Sequence, residues 1–292
     1  MRVAPLLRGR YRLFGLARRT GRFAELRAAG ITPLPGDLDE RASLARIVGL
    51  ADIVLHFAPP ATQNVSKKES VNAAQKKAGA NSDLRTRNLL AALSRGKLPE
   101  RLVYISTSGV YGDCGGARVN ETQPLNPQTA RALLRADAEQ QIRDWAGRNH
   151  LDANILRVPG IYAAERLPLE RLRTGAPAII RDEDSYTNHI HADDLAHIIL
   201  AALRQAKPNR VYHASDDSQM KMGDYFDAVA DACGLPHPPR LPRAEVGRNA
   251  PAALWSFMNE SRRLNNERMK KELKVKLRYP TVCDALALVT KR

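Results

Sequence analysis

Cysteine is scarce in this chain. Its 292 residues hold only Cys114, Cys233 and Cys283, too far apart for a zinc-ligand pair or a disulfide framework, which points to a reducing, cytoplasmic compartment. Aromatic residues make up 5%, and none interleave with basic residues as they do in RNA-stacking modules. No apolar run approaches the roughly 18 residues of a membrane span. Serine is missing before Ser43 and acidic residues before Glu25. Arg2, Arg8, Arg10 and Arg12 interrupt any signal-peptide core, and an arginine-rich start without serine makes a poor mitochondrial presequence.

What is present fits a globular protein, with 43% hydrophobic and 26% charged residues. The net charge of +15 is confined to the ends. Residues 1–28 carry eight arginines and one acid, residues 261–292 ten bases and three acids, and the remainder nets +1. A polyanion could be attracted to those ends. We read them instead as solvated faces, so nucleic acid is not an expected partner.

Strand-like and helical runs alternate through residue 215. Strands are expected at 12–17, 31–35, 52–57, 101–106, 153–158 and 210–214, helices at 23–29, 40–48, 84–94 and 128–149. Asp39 and Asp83 stand where helix caps belong. The 52–57 run is apolar almost throughout, as in a strand buried on both faces. The order predicts an α/β fold, a Rossmann-like doubly wound parallel sheet with a smaller C-terminal substrate lobe. We place the dinucleotide-binding portion at 1–158, with an inserted loop at 59–82. The substrate lobe takes 159–292, with the sheet's later strands returning near 186–215. Residues 262–278 carry helical charge patterning over Leu264, Met269 and Leu273.

The richest stretch is Tyr104-Ile105-Ser106-Thr107-Ser108-Gly109-Val110-Tyr111-Gly112, a strand that ends in hydroxyl groups where open α/β sheets bind ligands. With Gly36-Asp37-Leu38, Leu156-Arg157-Val158-Pro159-Gly160 and His189-Ile190-His191-Ala192-Asp193-Asp194, it resembles the extended and atypical short-chain dehydrogenase/reductases, the NAD-dependent epimerase/dehydratase family. The resemblance implies Asp37 and Leu38 beside the adenine, Phe57, Ala58, Pro59 and Val158 around the ribose and nicotinamide, and Thr107 on the reacting carbonyl. It also implies a small carbonyl compound or nucleotide sugar as substrate, and leaves a homodimer open. His189, His191 and Asp193 have a spacing that suits a metal, but the resemblance makes them part of the lobe interface, and no metal is expected.

Two departures stand out. A dinucleotide fold should open with a strand and a glycine-rich turn. Here residues 2–7 read as the back half of the helix that should follow that strand. Pro5 cannot donate to a central ladder. About twenty residues are therefore expected to be wanting, and an upstream-extended version is expected to be the more stable. Second, the family's Tyr-x-x-x-Lys pair falls, counting back from Glu139, on Arg131 and Arg135. Arginine stays protonated, so Arg131 cannot act as a general base. Arg135 retains the capacity to hold a ribose or phosphate. Tyr111 lies near enough to Thr107 in sequence to face the same cleft, and is the candidate substitute. Arg18 and Arg19 follow the second strand with no acid among them, which favours NADP over NAD. The expected function is that of an NAD(P)-binding oxidoreductase or nucleotide-sugar epimerase with a degraded catalytic pair. A non-catalytic cofactor sensor or scaffold is the alternative, and a polyanion-binding protein the second.

Overall fold

A computed structural model describes residues 1–61 and 82–289. The expected loop at 59–82 falls almost wholly outside them.

Four parallel strands form the main sheet, in the spatial order β6 (Val211–His213), β5 (Asp152–Val158), β4 (Arg101–Thr107), β3 (Ile53–His56). Alternation along β4 explains its two-sided burial. Leu102 and Tyr104 pack with Leu89, Leu93, Ile142 and Trp145 on one face, and Val103 packs with Leu156, Ile198 and Tyr212 on the other. The helices behind the first face are α3 (Leu84–Leu93) and α4 (Ala130–Asn149). Asp83 and Thr129 cap them by accepting from the Arg85 and Ala132 amides. Across the sheet lie the short helix α1 (Ala4–Leu7) and α5 (Ala192–Gln205), which pack together. As expected, the chain near residues 2–7 is helical, over Ala4–Leu7, with Pro5 in the first turn where its missing N–H costs nothing.

A second, separate parallel pair joins β1 (Phe14–Ala17) to β2 (Thr32–Pro35). Gly30, at φ +75°, ends the helix α2 (Phe23–Ala28) that links them. Among the described residues, β1 pairs only with β2 and β3 only with β4. Both unpaired edges line one cavity of about 890 Å³.

That cavity corrects one expectation. Ile53, Val54 and Leu55 are half-buried rather than sealed on both sides, because β3 borders open space instead of a neighbouring strand. Residues 41–47 also differ, forming a 3₁₀ helix without a side-chain cap. Asp39 is drawn away by charge: its carboxylate takes two hydrogen bonds from Arg85, at 2.7 Å each. Near the C-terminus the expected helical face is shortened. Arg263–Leu264 pairs as a strand with Arg118–Val119, and the helix runs only from Glu267 to Leu273, burying Met269 and Leu273.

The later residues gather around a second apolar cluster that includes Tyr162, Leu172, Phe226 and Val282. At its margin Asp216 is buried, and burial pushes its carboxyl up to about 7. The unfolded chain releases this proton near pH 4. Between pH 4 and 7 the folded state therefore binds more protons than the unfolded one, and Asp216 lowers stability as pH rises through that window. Asp216→Asn should consequently raise the melting temperature at pH 8 by more than at pH 5. Equal shifts at the two pH values in differential scanning calorimetry would refute the assignment.

Candidate active site at the carboxyl edge of the sheet

Strands β3 and β4 both point their carboxyl ends at one cleft, and the chain turns sharply there. After Thr107 comes a 3₁₀ turn, Ser108–Tyr111, with the Thr107 side chain accepting from the Gly109 amide at 3.3 Å. Gly112 closes it at φ +64°, where a Cβ would lie 2.2 Å from the Asn126 carbonyl, so no other residue fits.

Arg135 joins the two strand ends. Its Nη1 donates to the Ile105 carbonyl at 2.6 Å, to Tyr104 Oη at 3.0 Å and to the Ala58 carbonyl at 3.4 Å. Arg131, one helical turn earlier, stacks on Phe257 with its Cζ 4.5 Å from the ring centroid. Burial, and then repulsion from Arg135, push the Arg131 guanidinium down from its ordinary range. Among the described residues no carboxylate lies within ion-pair distance of either, and Glu260 attracts Arg131 only from farther away. Two cations set one turn apart with no contacting counter-ion favour an anion beside them.

Tyr111 is a correction. Its hydroxyl is buried between His213 Nε2, at 2.6 Å, and Arg157 Nη1, which donates to it at 2.6 Å. Burial raises it to about 12, and it does not face the cleft as its proximity to Thr107 in sequence suggested. Tyr104 is likewise raised by burial. His56, which sequence reasoning missed, lies beneath the cleft against Thr86 Oγ1 at 3.0 Å; burial and then Arg135 hold it down at about 3. Neither tyrosine nor this histidine titrates near neutrality, so none is a ready proton carrier.

Under the cleft lies a buried ion pair that sequence reasoning also missed. Arg157 on β5 donates to Glu139 on α4 at 2.7 Å through Nη2, and Ser106 donates to the same carboxylate at 2.5 Å. In the sequence Glu139 marks only the register of the helix.

The remaining expected residues divide. Arg18 lies 3.8 Å from Asp37 and 3.7 Å from Asp39, and it lines the cavity together with Arg19, Asp37, Leu38, Phe57, Ala58 and Pro59. Val158 pairs with Thr107 across the sheet, but its side chain belongs to the core rather than to the cleft wall. Arg85, which no sequence motif marks, bridges Asp39 to the Pro59 carbonyl at 2.9 Å. His191 Nδ1 accepts from the Asp193 amide at 3.2 Å, a helix-cap contact. No three His, Cys, Asp or Glu side chains among the described residues group as metal ligands, and no described helix is long and apolar enough to cross a membrane.

A parallel sheet, helices on both faces and a cleft at the carboxyl ends of the strands define a Rossmann-like α/β protein. The family model for the NAD dependent epimerase/dehydratase family matches residues 3–215, and the chain belongs to that family. Among curated relatives it is similar to the dTDP-D-glucose 4,6-dehydratase of Homo sapiens, 23% identical over 131 residues, covering 42% of this chain and 37% of that one. It is also similar to the 2-alkyl-3-oxoalkanoate reductase of Shewanella oneidensis, 27% identical over 242 residues, covering 76% of this chain and 60% of that one. The match thus spans between about a third and three fifths of the length of these relatives. Among solved structures, a double mutant of the dTDP-glucose 4,6-dehydratase DesIV of Streptomyces venezuelae, with NAD and DAU bound, has a TM-score of 0.74 at 20% identity, covering 99% of this chain and 91% of that one.

Proposed function

We propose that this protein binds a nicotinamide dinucleotide, NADP in preference to NAD, along the carboxyl edge of its sheet, together with a small carbonyl compound or nucleotide sugar. In this reading residues 1–158 hold the cofactor and residues 159–292 shape the substrate lobe. Its catalytic pair is replaced by guanidinium groups, so turnover is weak or absent.

The dinucleotide fits at both its ends. Arg18 and Arg19 are exposed at the cavity wall and can meet a 2′-phosphate, Asp37 lies beside them, and Ala58 and Arg135 flank the position of the second ribose. The middle fits less well. Among the described residues no glycine-rich turn offers backbone N–H groups to the pyrophosphate, and positive charge along the cavity lining comes from Arg18, Arg19, Arg22 and Arg85. When bound, the dinucleotide supplies hydride transfer. Thr107 donates a hydrogen bond to a substrate oxygen, and Arg131 and Arg135 stabilise negative charge on it. Neither arginine accepts a proton at neutral pH.

The observation that carries this reading is Arg135, which spans the carboxyl ends of β3 and β4 through Ala58 and Ile105. The experiment is calorimetric titration with NADPH and NADH. We expect tighter binding of NADPH and loss of that preference in Arg18→Ala/Arg19→Ala, a change of roughly tenfold, as follows from removing a charge-assisted hydrogen bond to the 2′-phosphate. Equal affinities in the wild type, or a preference untouched by the double substitution, would overturn the cofactor assignment.

A further inference from the structure

Arg131 and Arg135 approach Thr107 from one helix. A Cβ placed on Gly109 would lie 3.6 Å from Thr107 Oγ1 and 3.8 Å from the Ala132 Cβ, so the first turn of α4 packs on the bend that follows the strand. One turn on, Arg135 reaches the Ile105 carbonyl, two residues before Thr107, at 2.6 Å. All its hydrogen bonds use Nη1. Its Nε and Nη2 donors, and every donor of Arg131, lack an acceptor among the described residues. The Arg131 Cζ stands 4.5 Å from the centroid of the exposed Phe257 ring, in the helix Ala252–Met258. Stacking takes up one face of a guanidinium and leaves free the N–H edges, which grip a carboxylate through two parallel bonds.

Charge selects the ligand. Behind Arg131, Glu260 pairs with Arg262 at 2.7 Å, and Asp113 lies close enough to act on both. Set against Arg131, Arg135 and Arg262, these two carboxylates leave one positive charge unbalanced, which a monoanion neutralises. A phosphate ester brings about 1.5–2 negative charges and overshoots. A nucleotide sugar carries its phosphates on the anomeric carbon and would turn an uncharged hydroxyl or ketone toward Thr107. Both guanidiniums would then stay unmet, at a desolvation cost.

We propose that the cleft takes a small oxo acid, a monocarboxylate whose carbonyl meets Thr107 and whose carboxylate is held edge-on by Arg131 with Arg135 beside it. This inference rests on the reading of the sheet edge as a carbonyl-binding cleft, and it narrows the two substrate classes of that reading to one. It gives Arg131 a recognition role in place of proton transfer.

The test measures binding of pyruvate, acetoacetate and levulinate to the full 292-residue chain by saturation-transfer NMR, with and without NADP, each beside its methyl ester. The three acids set carboxylate and ketone at increasing separation. We expect at least one acid to bind saturably and about tenfold or more tighter than its ester, the worth of one charge-assisted hydrogen bond. Arg131→Gln should erase that preference, and because Arg131 is exposed this variant keeps the fold. Arg204→Gln is the control. It removes another exposed charge next to Leu203, whose carbonyl Arg101 contacts at the amino end of β4, away from the cleft, and it should leave the preference intact. An acid no tighter than its ester would overturn the proposal. So would a preference that survives Arg131→Gln or falls equally with Arg204→Gln, either of which marks diffuse attraction to a basic protein. Inorganic phosphate binding about tenfold tighter than every acid, and lost in Arg131→Gln, would reassign the site to a phosphate and overturn it too. If neither acid nor ester binds while NADPH does, the proposal fails and the cofactor reading stands. If the Arg131-dependent preference appears without NADPH binding, the proposal stands and the cofactor reading fails.

Discussion

Replacing Glu139 by alanine should cost about 3–5 kcal/mol of folding free energy, read as a lower urea midpoint with an unchanged slope. The carboxylate and the Arg157 guanidinium are almost entirely buried, and each is the other's charge partner. Removing one leaves the other charged inside the core between β4, β5 and α4, with only Tyr111 and the Glu121 carbonyl as remaining acceptors. Ser106 loses its acceptor as well. The comparison that isolates charge from packing is Glu139→Leu/Arg157→Met. Replacing both partners removes the unpaired charge, so the double variant should lie within about 2 kcal/mol of the wild type although it changes more atoms. A single variant as stable as the wild type would show that the pair is not sealed from water.

Substituting Arg131→Tyr together with Arg135→Lys should raise NADPH-linked turnover at saturating cofactor by about 10²-fold or more, the contribution of a positioned acid/base. The wild-type cleft offers positive charge and a threonine hydroxyl, but the neighbouring tyrosines and histidine that could exchange a proton are shifted away from neutrality by burial. Tyr111 lies near 12 and His56 near 3. Position 131 now holds an exposed cation stacked on the exposed Phe257, a shelf that a tyrosine ring would also occupy. Lysine at 135 would keep a positive charge beside that ring and so favour the phenolate. The gain should carry a pH profile governed by the new phenol. Restored activity without such a profile would mean that the substitutions act through binding, and no gain at all would mean that the proton carrier is not what limits the chain.

Much of the fold was legible because it rests on local signals. The apolar alternation of β4, the Asp83 cap and the helical reading of residues 2–7 all depend on neighbours close in sequence. The capping role assigned to Asp39 failed because the carboxylate answers to Arg85, 46 residues away. Tyr111 failed for a related reason. Its distance from Thr107 along the chain says nothing about the direction of its ring after the 3₁₀ turn, and Arg157 and His213, on two different strands, fix that direction. Glu139–Arg157 was invisible as a pair, since buried charge partners carry no spacing signature. The interrupted sheet was foreseeable from Pro5 and from the absent glycine-rich turn. Its consequence for β3 was not, because an apolar strand reads the same whether a neighbour or a cavity lies beside it.

The central claim is a dinucleotide cleft of this family that lacks a positioned proton carrier. It is tested most directly by NADP(H)-linked turnover of the 292-residue chain across a panel of small carbonyl compounds and nucleotide sugars, with Thr107→Ala alongside. The account predicts saturable NADPH binding and turnover about 10²–10⁴ below that expected with a positioned acid/base, with Thr107→Ala lowering only that small residual rate. Robust turnover abolished by Thr107→Ala would contradict it, and would show that another group in this cleft has taken over the proton transfer.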